Sequence, residues 1–140
     1  MKAAEAMDMI EAAEAMLKAN KNDIEEEQLS KMKDQTKAVK DSVQKLMDHV
    51  FGKEDDRQGI TDSPERSVTS YLYSPYRHIG SSLGAPAETE KTLIGLAREK
   101  SNEAIGMIND FFAEDWPAYV EMMESVQLSP FKTFDKVEMK

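Results

Sequence analysis

The sequence contains no cysteine, and this absence removes several kinds of protein at once. Without cysteine the chain forms no disulfide, has no thiolate nucleophile and builds no cysteine-based zinc site. The absence does not identify a compartment, because proteins without disulfides occur on both sides of a membrane. Histidine, the side chain most often used as a general base, is also scarce: the chain has only two, His49 and His78.

Positive charge and long apolar runs are in short supply as well. Eighteen Lys and Arg against 27 Asp and Glu give a net charge of −9, which argues against a protein that mainly grips nucleic-acid phosphates. No stretch approaches the roughly 20 apolar residues of a membrane span. Glu5, Asp8 and Glu11 interrupt the N-terminal region, so it does not read as a secretory signal. We therefore expect a soluble globular protein that binds no nucleic acid and inserts into no membrane.

Apolar residues recur at helical spacing in four segments, and no segment shows a convincing strand pattern. The length predicts a single domain, residues 1–140. The predicted helices cover residues 2–19, 24–51, 64–82 and 86–126. Joined by short to moderate connections, they predict an all-α fold, an up-and-down four-helix bundle.

The predicted core comes from one apolar stripe on each helix, and the stripe of the second helix keeps a strict heptad spacing. Helix by helix, the stripe residues are Ala3, Ala6, Ile10, Ala13 and Leu17; Leu29, Met32, Thr36, Val39, Val43, Leu46 and Val50; Val68, Tyr71, Leu72, Pro75, Ile79 and Leu83; and Ile94, Ala97, Ser101, Ile105, Ile108, Phe112, Asp115, Tyr119, Met122 and Val126.

Capping and breaking residues predict where these helices begin and end. Asn22 or Asp23 is expected to cap the second helix, and Gly52 to stop it. The run Asp62-Ser63-Pro64-Glu65 predicts the start of the third helix, with proline at its first position. Pro75 predicts a kink or a break within that helix, because proline removes a backbone hydrogen bond.

The fourth helix contains a second proline, yet its apolar spacing continues across Pro117. We therefore expect one long helix that is kinked at Asp115, Trp116 and Pro117. The spacing also places Asp115 on the inner side, where it would cap the backbone after the kink or pair with a cation such as Arg77 or Arg98.

Catalytic and metal-binding motifs are missing from the sequence. Neither histidine completes the Glu-x-x-His motif of di-iron bundles, and there is no zinc-protease motif, EF-hand or complete phosphate loop. The acidic residues near the end of the fourth helix could chelate a hard cation or act as an acid–base pair, although a solvated helix face explains them equally simply. These residues are Asp110, Glu114, Asp115, Glu121 and Glu124.

One aromatic and basic cluster surrounds Pro75, and it contains Tyr73, Tyr76, Arg77 and His78, with Tyr71 beside them. It is either a docking patch for a protein partner or a set of half-buried residues at a helix end. Gly95 and Gly106, almost three full turns apart, share one stripe of the fourth helix. They predict a close helix crossing, with a partner inside the chain or in a second copy.

Several strings together resemble the helical region that follows the β-propeller in bacterial BNR/Asp-box-repeat proteins, the sortilin-like group labelled glycosyl hydrolases. The resemblance spans roughly residues 25–133. The strings are Gln58-Gly59-Ile60-Thr61 with Pro64-Glu65, Gly80-Ser81-Ser82-Leu83-Gly84-Ala85-Pro86, Phe111-Phe112-Ala113-Glu114-Asp115-Trp116-Pro117-Ala118-Tyr119 and Leu128-Ser129-Pro130-Phe131.

The resemblance implies an accessory role for this chain. Any hydrolase-like site of that group would belong to the propeller, so no catalytic residue, metal ligand or cofactor is carried over to this chain. The implied partner is the propeller of a longer parent chain or another protein, with a homodimer as a further option, and the implied location is the periplasm or the cell surface. The alternatives are a stand-alone dimerising interaction bundle and, third, a metal binder or enzyme that uses the acidic face.

Overall fold

The computed structural model describes residues 2–53, 66–81, 84 and 87–129, and all of its regular structure there is helical. The all-α prediction is therefore confirmed, whereas the up-and-down order and the kink stay predictions. The helices are α1 (Lys2–Ala19), α2 (Glu26–Phe51), α3 (Val68–Ser81), α4 (Glu88–Asp110), a π-helical segment (Phe111–Asp115) and α5 (Trp116–Glu124).

The chain folds into two compact units. We call Met1–Val43 with Glu114–Lys140 the terminal unit, and Gln44–Ala113 the central unit. Helix α2 supplies residues to both units, and so does the long helical stretch from α4 to α5.

The core of the terminal unit is built from the predicted stripes of α1 and α2. Leu17, Leu29 and Met32 form a buried cluster, and the stripe residues Ile10 and Val43 are fully buried as well. Partly buried apolar side chains pack against the cluster from the α1–α2 connection and from the end of the chain: Ile24, Met122, Met123, Val126 and Leu128. At roughly 2 kcal/mol for each large apolar side chain removed from water, these contacts are a main source of this unit's stability.

Polar contacts hold α1 in place within the same unit, at its C-terminal end and along its length. The side-chain amide of Asn20 donates hydrogen bonds to the carbonyls of Met16 (2.8 Å) and Ser129 (2.7 Å), and its oxygen accepts one from the Ser129 N–H (3.2 Å). Lys40 of α2 pairs with Glu14 of α1 at 3.1 Å. Asn20 therefore both caps the C-terminus of α1 and holds the segment that follows α5.

Helix α2 begins later than the sequence predicts. Asn22 and Asp23 lie in the turn after α1, and the first helical hydrogen bond runs from the Leu29 N–H to the Glu25 carbonyl. The turn takes these residues because the Asp23 N–H bonds the Asn20 carbonyl. At the other end Gly52, with φ of 95°, ends the helix as predicted, since this left-handed conformation favours glycine.

In the central unit α3 begins at Val68, and the described residues 66 and 67 before it are not helical. Ser67 is the capping residue, because its Oγ accepts a hydrogen bond from the Ser70 N–H at 3.2 Å. The predicted start at residues 62–65 falls outside the described residues. Thr69 ties the new helix to the end of α2 by donating to the Val50 carbonyl at 2.6 Å.

Helix α3 packs against α4 and continues through Pro75 without a break. The predicted break is therefore wrong. Pro75 and Val68 are buried on the packed side of α3, and this burial offsets the hydrogen bond that proline cannot make.

The phase of the last helical stretch changes at the π-helical segment. Ala97, Ala104 and Phe111 are buried at heptad spacing, but the next buried side chain is Tyr119, one residue later than a heptad predicts. A π turn holds more residues than an α turn, so it rotates everything that follows. The wide turn includes Ala113, whose carbonyl would otherwise clash with the ring of Pro117.

The structure corrects several predicted core positions along this helical stretch. Asp115 is exposed and makes no capping side-chain hydrogen bond, so the prediction that it faces inward and caps the helix is wrong. Phe111 takes the buried position that was predicted for Phe112, and Ile105 is 55% exposed. After the π-helical segment the predicted stripe is correct again: Tyr119 is 3% exposed, and Met122 and Val126 pack against the buried cluster of the terminal unit.

Candidate functional site

Helix α3 carries an apolar side that nothing in the described residues covers. Leu72, Tyr76 and Ile79, spaced four and three residues apart, lie on one side of the helix and are 52%, 75% and 42% exposed. The prediction that Leu72 and Ile79 belong to the core is therefore wrong. The packed side of α3 is centred on Val68 and Pro75, and Leu72 and Ile79 lie beyond its edge.

Two further residues extend this exposed side. Tyr73 is 61% exposed, and Arg77, one turn further along, is also exposed. We call Leu72, Tyr73, Tyr76, Arg77 and Ile79 the α3 face. It contains three of the four patch residues that the sequence singled out. Arg77 lies about 40° around the helix from Tyr73 and about 100° from Tyr76, so it stands at the margin of the face beside the two tyrosines. His78 is exposed too, but it is about 100° from Arg77 and about 160° from Tyr76, outside this margin.

The charge of this region differs from that of the rest of the chain. No Asp or Glu occurs between Glu65 and Glu88, although the chain has 27 acidic residues. The described part of this stretch contains Arg66 and Arg77, both exposed. This gap in the acidic residues, which includes all of α3, is a sequence signal that could have pointed to the face directly.

Trp116, one of the residues of the predicted kink, packs beside a buried tyrosine within the terminal unit. Trp116 is half-buried, and its ring lies 5.9 Å from the ring of Tyr119. Tyr119 is 3% exposed and donates a hydrogen bond to the Thr36 hydroxyl at 3.2 Å, while Thr36 donates to the Met32 carbonyl at 2.7 Å. The polar position in the α2 stripe is therefore satisfied by a partner that sequence spacing did not reveal.

Burial changes the pKa of the Tyr119 hydroxyl. Removal from water raises the pKa of its hydroxyl, because burial disfavours the phenolate. The hydrogen bond with Thr36 works against this shift, and the charge of Glu14 adds to it. Tyr119 therefore stays neutral at any pH near 7, which suits a structural role.

An open groove of about 360 Å³ lies beside α2 in the terminal unit. Asp34 and Ser42 of α2 line it together with Asp115. No histidine lines it, so Ser42 has no imidazole base beside it there. The groove offers two carboxylates and a hydroxyl, which do not by themselves define a reaction.

Elsewhere the polar groups of the central unit form local pairs. Lys100 and Glu103 share a hydrogen bond of 2.7 Å on the surface of α4, which raises the pKa of the lysine and lowers that of the glutamate. The His49 Nε2 and one Glu90 carboxylate oxygen are buried and have no hydrogen-bond partner among the described residues. The side chains of both residues are only partly buried, so water reaches the rest of each group.

Two further properties concern metals and membranes. Within the described ranges, no three or more His, Asp or Glu side chains come together in a way that could hold a metal ion. In the same part of the chain, no helix has the length and hydropathy needed to cross a bilayer.

Comparison of the chain with protein-family models, with curated proteins and with solved structures gave no match. The resemblance to the helical region of BNR-repeat proteins therefore stays a prediction from the quoted strings.

Proposed function

We propose that this chain is a non-catalytic helical interaction module that binds a protein partner through the α3 face. The observation that carries the proposal is the cluster of exposed Leu72, Tyr73, Tyr76 and Ile79 on one helix. Single exposed apolar residues are ordinary, but a contiguous aromatic and aliphatic patch beside an arginine has the composition of binding surfaces.

As an interaction module, the chain would need no catalytic residue and no cofactor. The residues brought together on α3 are aromatic, aliphatic and basic, and they lack the pair of groups that acid–base chemistry needs. If the BNR-like resemblance holds, the partner is the propeller of a longer parent chain, and the module works in the periplasm or at the cell surface.

Site-specific photocrosslinking tests this function. A benzophenone amino acid in place of Tyr76 is expected to crosslink one defined protein in the native host. The same group in place of Met9, which is 60% exposed on the terminal unit, is the matched control and is expected not to capture it. Identical products from both positions, or no product from position 76, would refute the proposal.

A second function, self-association through α4, is supported by a separate observation. A Cβ atom added to Gly95 or Gly106 would meet nothing within 4 Å, and the neighbouring Ile94 and Ile105 are 45% and 55% exposed. The small residues leave room for a second helix to approach closely. Light scattering distinguishes this alternative, because it requires a dimer that Gly95→Leu disrupts.

A further inference from the structure

We infer that the partner segment bound by the α3 face carries carboxylates beside its apolar side chains, and that Arg77 supplies the charged contact. This inference rests on the proposed function and names the chemistry of the partner. The structural features behind it are the exposed arginine at the margin of the apolar residues and the absence of acidic side chains along α3.

Charge complementarity is the first argument. With a net charge of −9, most of this chain repels an acidic segment at long range. Helix α3 has no Asp or Glu, and Arg77 stands one turn from Tyr73 on the exposed side. Among the described helices α3 is the one without an acidic side chain, so an acidic segment meets less repulsion from α3 itself than from the other helices, to which a basic segment would be drawn.

The shape and chemistry of the face form the second argument. Leu72, Tyr76 and Ile79 cover roughly 10 Å along the helix axis, which matches two turns of an amphipathic partner helix. The guanidinium of Arg77 can hold a carboxylate through two parallel hydrogen bonds. Tyrosine and arginine are also the side chains that most often dominate binding energy at interfaces.

The same observations disfavour other classes of ligand. Nucleic acid and anionic lipid surfaces are held by several cations acting together, and this face contains one. In a symmetric pair of α3 helices from two copies, Arg77 would meet a helix without any carboxylate. A foreign acidic segment satisfies both the apolar residues and the arginine.

A peptide-display selection on the full-length chain tests the inference. The probe is a library of amphipathic 16-residue peptides with fixed apolar spacing and random charged positions. We expect the selected peptides to be rich in Asp and Glu. Arg77→Glu should weaken their binding about ten-fold, which corresponds to about 1.4 kcal/mol, because it removes one attractive charge contact and adds a repulsive one. The Arg98→Glu variant makes the same change of charge at an exposed position of α4 outside the face, and it should leave binding unchanged.

Several outcomes would overturn the inference. Selection of neutral or basic peptides would do so. The inference would also fall if the Tyr76→Ala variant still bound every selected peptide. Equal losses from Arg77→Glu and Arg98→Glu would reduce the effect to net charge. Light scattering that shows a dimer dissolved by Arg77→Glu would assign the face to a second copy instead.

Failure of the inference is distinguishable from failure of the proposed function. If the crosslink from position 76 forms but its captured segment lacks carboxylates, the interaction role stands and the assigned chemistry falls. If no crosslink forms, the interaction role itself falls.

Discussion

The terminal and central units treat their large apolar side chains differently. In the terminal unit, Leu17, Leu29 and Met32 are buried, and among its described residues Met9 is the one large apolar side chain that is exposed. The central unit exposes Leu72, Tyr73, Tyr76 and Ile79 on α3, together with Phe51, Ile94, Ile105 and Met107. The terminal unit thus uses its apolar residues for its own stability, whereas the central unit keeps many of them available for contact.

Polar residues show the same contrast between the units. Thr36 and Asn20 are buried in the terminal unit, and each has hydrogen-bond partners that come from the far end of the chain. In the described part of the central unit, His49 and Glu90 each have a buried polar atom for which no hydrogen-bond partner is found there. Among the described residues, the buried polar groups of the terminal unit are therefore the more completely hydrogen-bonded. Substitutions of buried residues there should lower the free energy of unfolding more strongly.

The largest expected effect compares two leucines. Leu17→Ala in the terminal unit should lower the free energy of unfolding by about 2–5 kcal/mol, because Leu17 is 1% exposed and its removal leaves a cavity. Leu72→Ala, at a position that is 52% exposed, should change it by less than about 0.5 kcal/mol. Urea denaturation followed by circular dichroism measures both. Equal losses would abolish the distinction between the units.

The next effect concerns the asparagine that joins α1 to the end of the described chain. Asn20→Ala should cost about 1–3 kcal/mol, because it removes three side-chain hydrogen bonds, one to the Met16 carbonyl and two to the backbone of Ser129. Asn102→Ala, at an exposed position within α4, is the matched control and should be nearly neutral. The same denaturation measurement applies. A neutral Asn20→Ala would mean that these hydrogen bonds add nothing to the terminal unit.

The smallest effect compares two tyrosines. Tyr119→Phe should cost about 1 kcal/mol through the lost hydrogen bond to Thr36, and Tyr73→Phe, at an exposed position, should cost close to nothing.

The pH dependence sharpens this comparison. Burial raises the pKa of Tyr119, so above pH of about 10, where an unfolded tyrosine ionises, the unfolded state binds fewer protons than the folded state. The free energy of unfolding should therefore fall as the pH rises past that value. Part of the fall should disappear in Tyr119→Phe and persist in Tyr73→Phe. Identical alkaline profiles for the two variants would contradict this account.

Helical periodicity predicted the all-α fold and most of the terminal core. The heptad of α2 held because nothing interrupts its period, and six of its seven predicted positions are buried, with Val50 half-buried. Asp115 was misplaced because it lies in the π-helical segment, whose wider turn departs locally from the helical period without any signature in the apolar spacing. The pairing of Thr36 with Tyr119 also escaped prediction, since a contact between distant residues depends on tertiary packing.

The candidate site was predicted in part. Tyr73, Tyr76 and Arg77 were identified from their types, but Leu72 and Ile79 were assigned to the core because apolar spacing does not tell which edge of a wide stripe is packed. The way α3 packs against α4 decides which edge is buried, and this packing is visible only in the folded structure.

The terminal unit is completed by residues that the ribosome adds after the whole central unit. Synthesis produces all of the central unit, Gln44–Ala113, before Tyr119 can reach Thr36 or Ser129 can reach Asn20. During that interval Leu17, Leu29 and Met32 of α1 and α2 are without three of their packing partners. These partners are Met122, Met123 and Val126. A nascent chain stopped after Ala113 thus exposes this apolar surface, the kind of intermediate that attracts chaperones or aggregates.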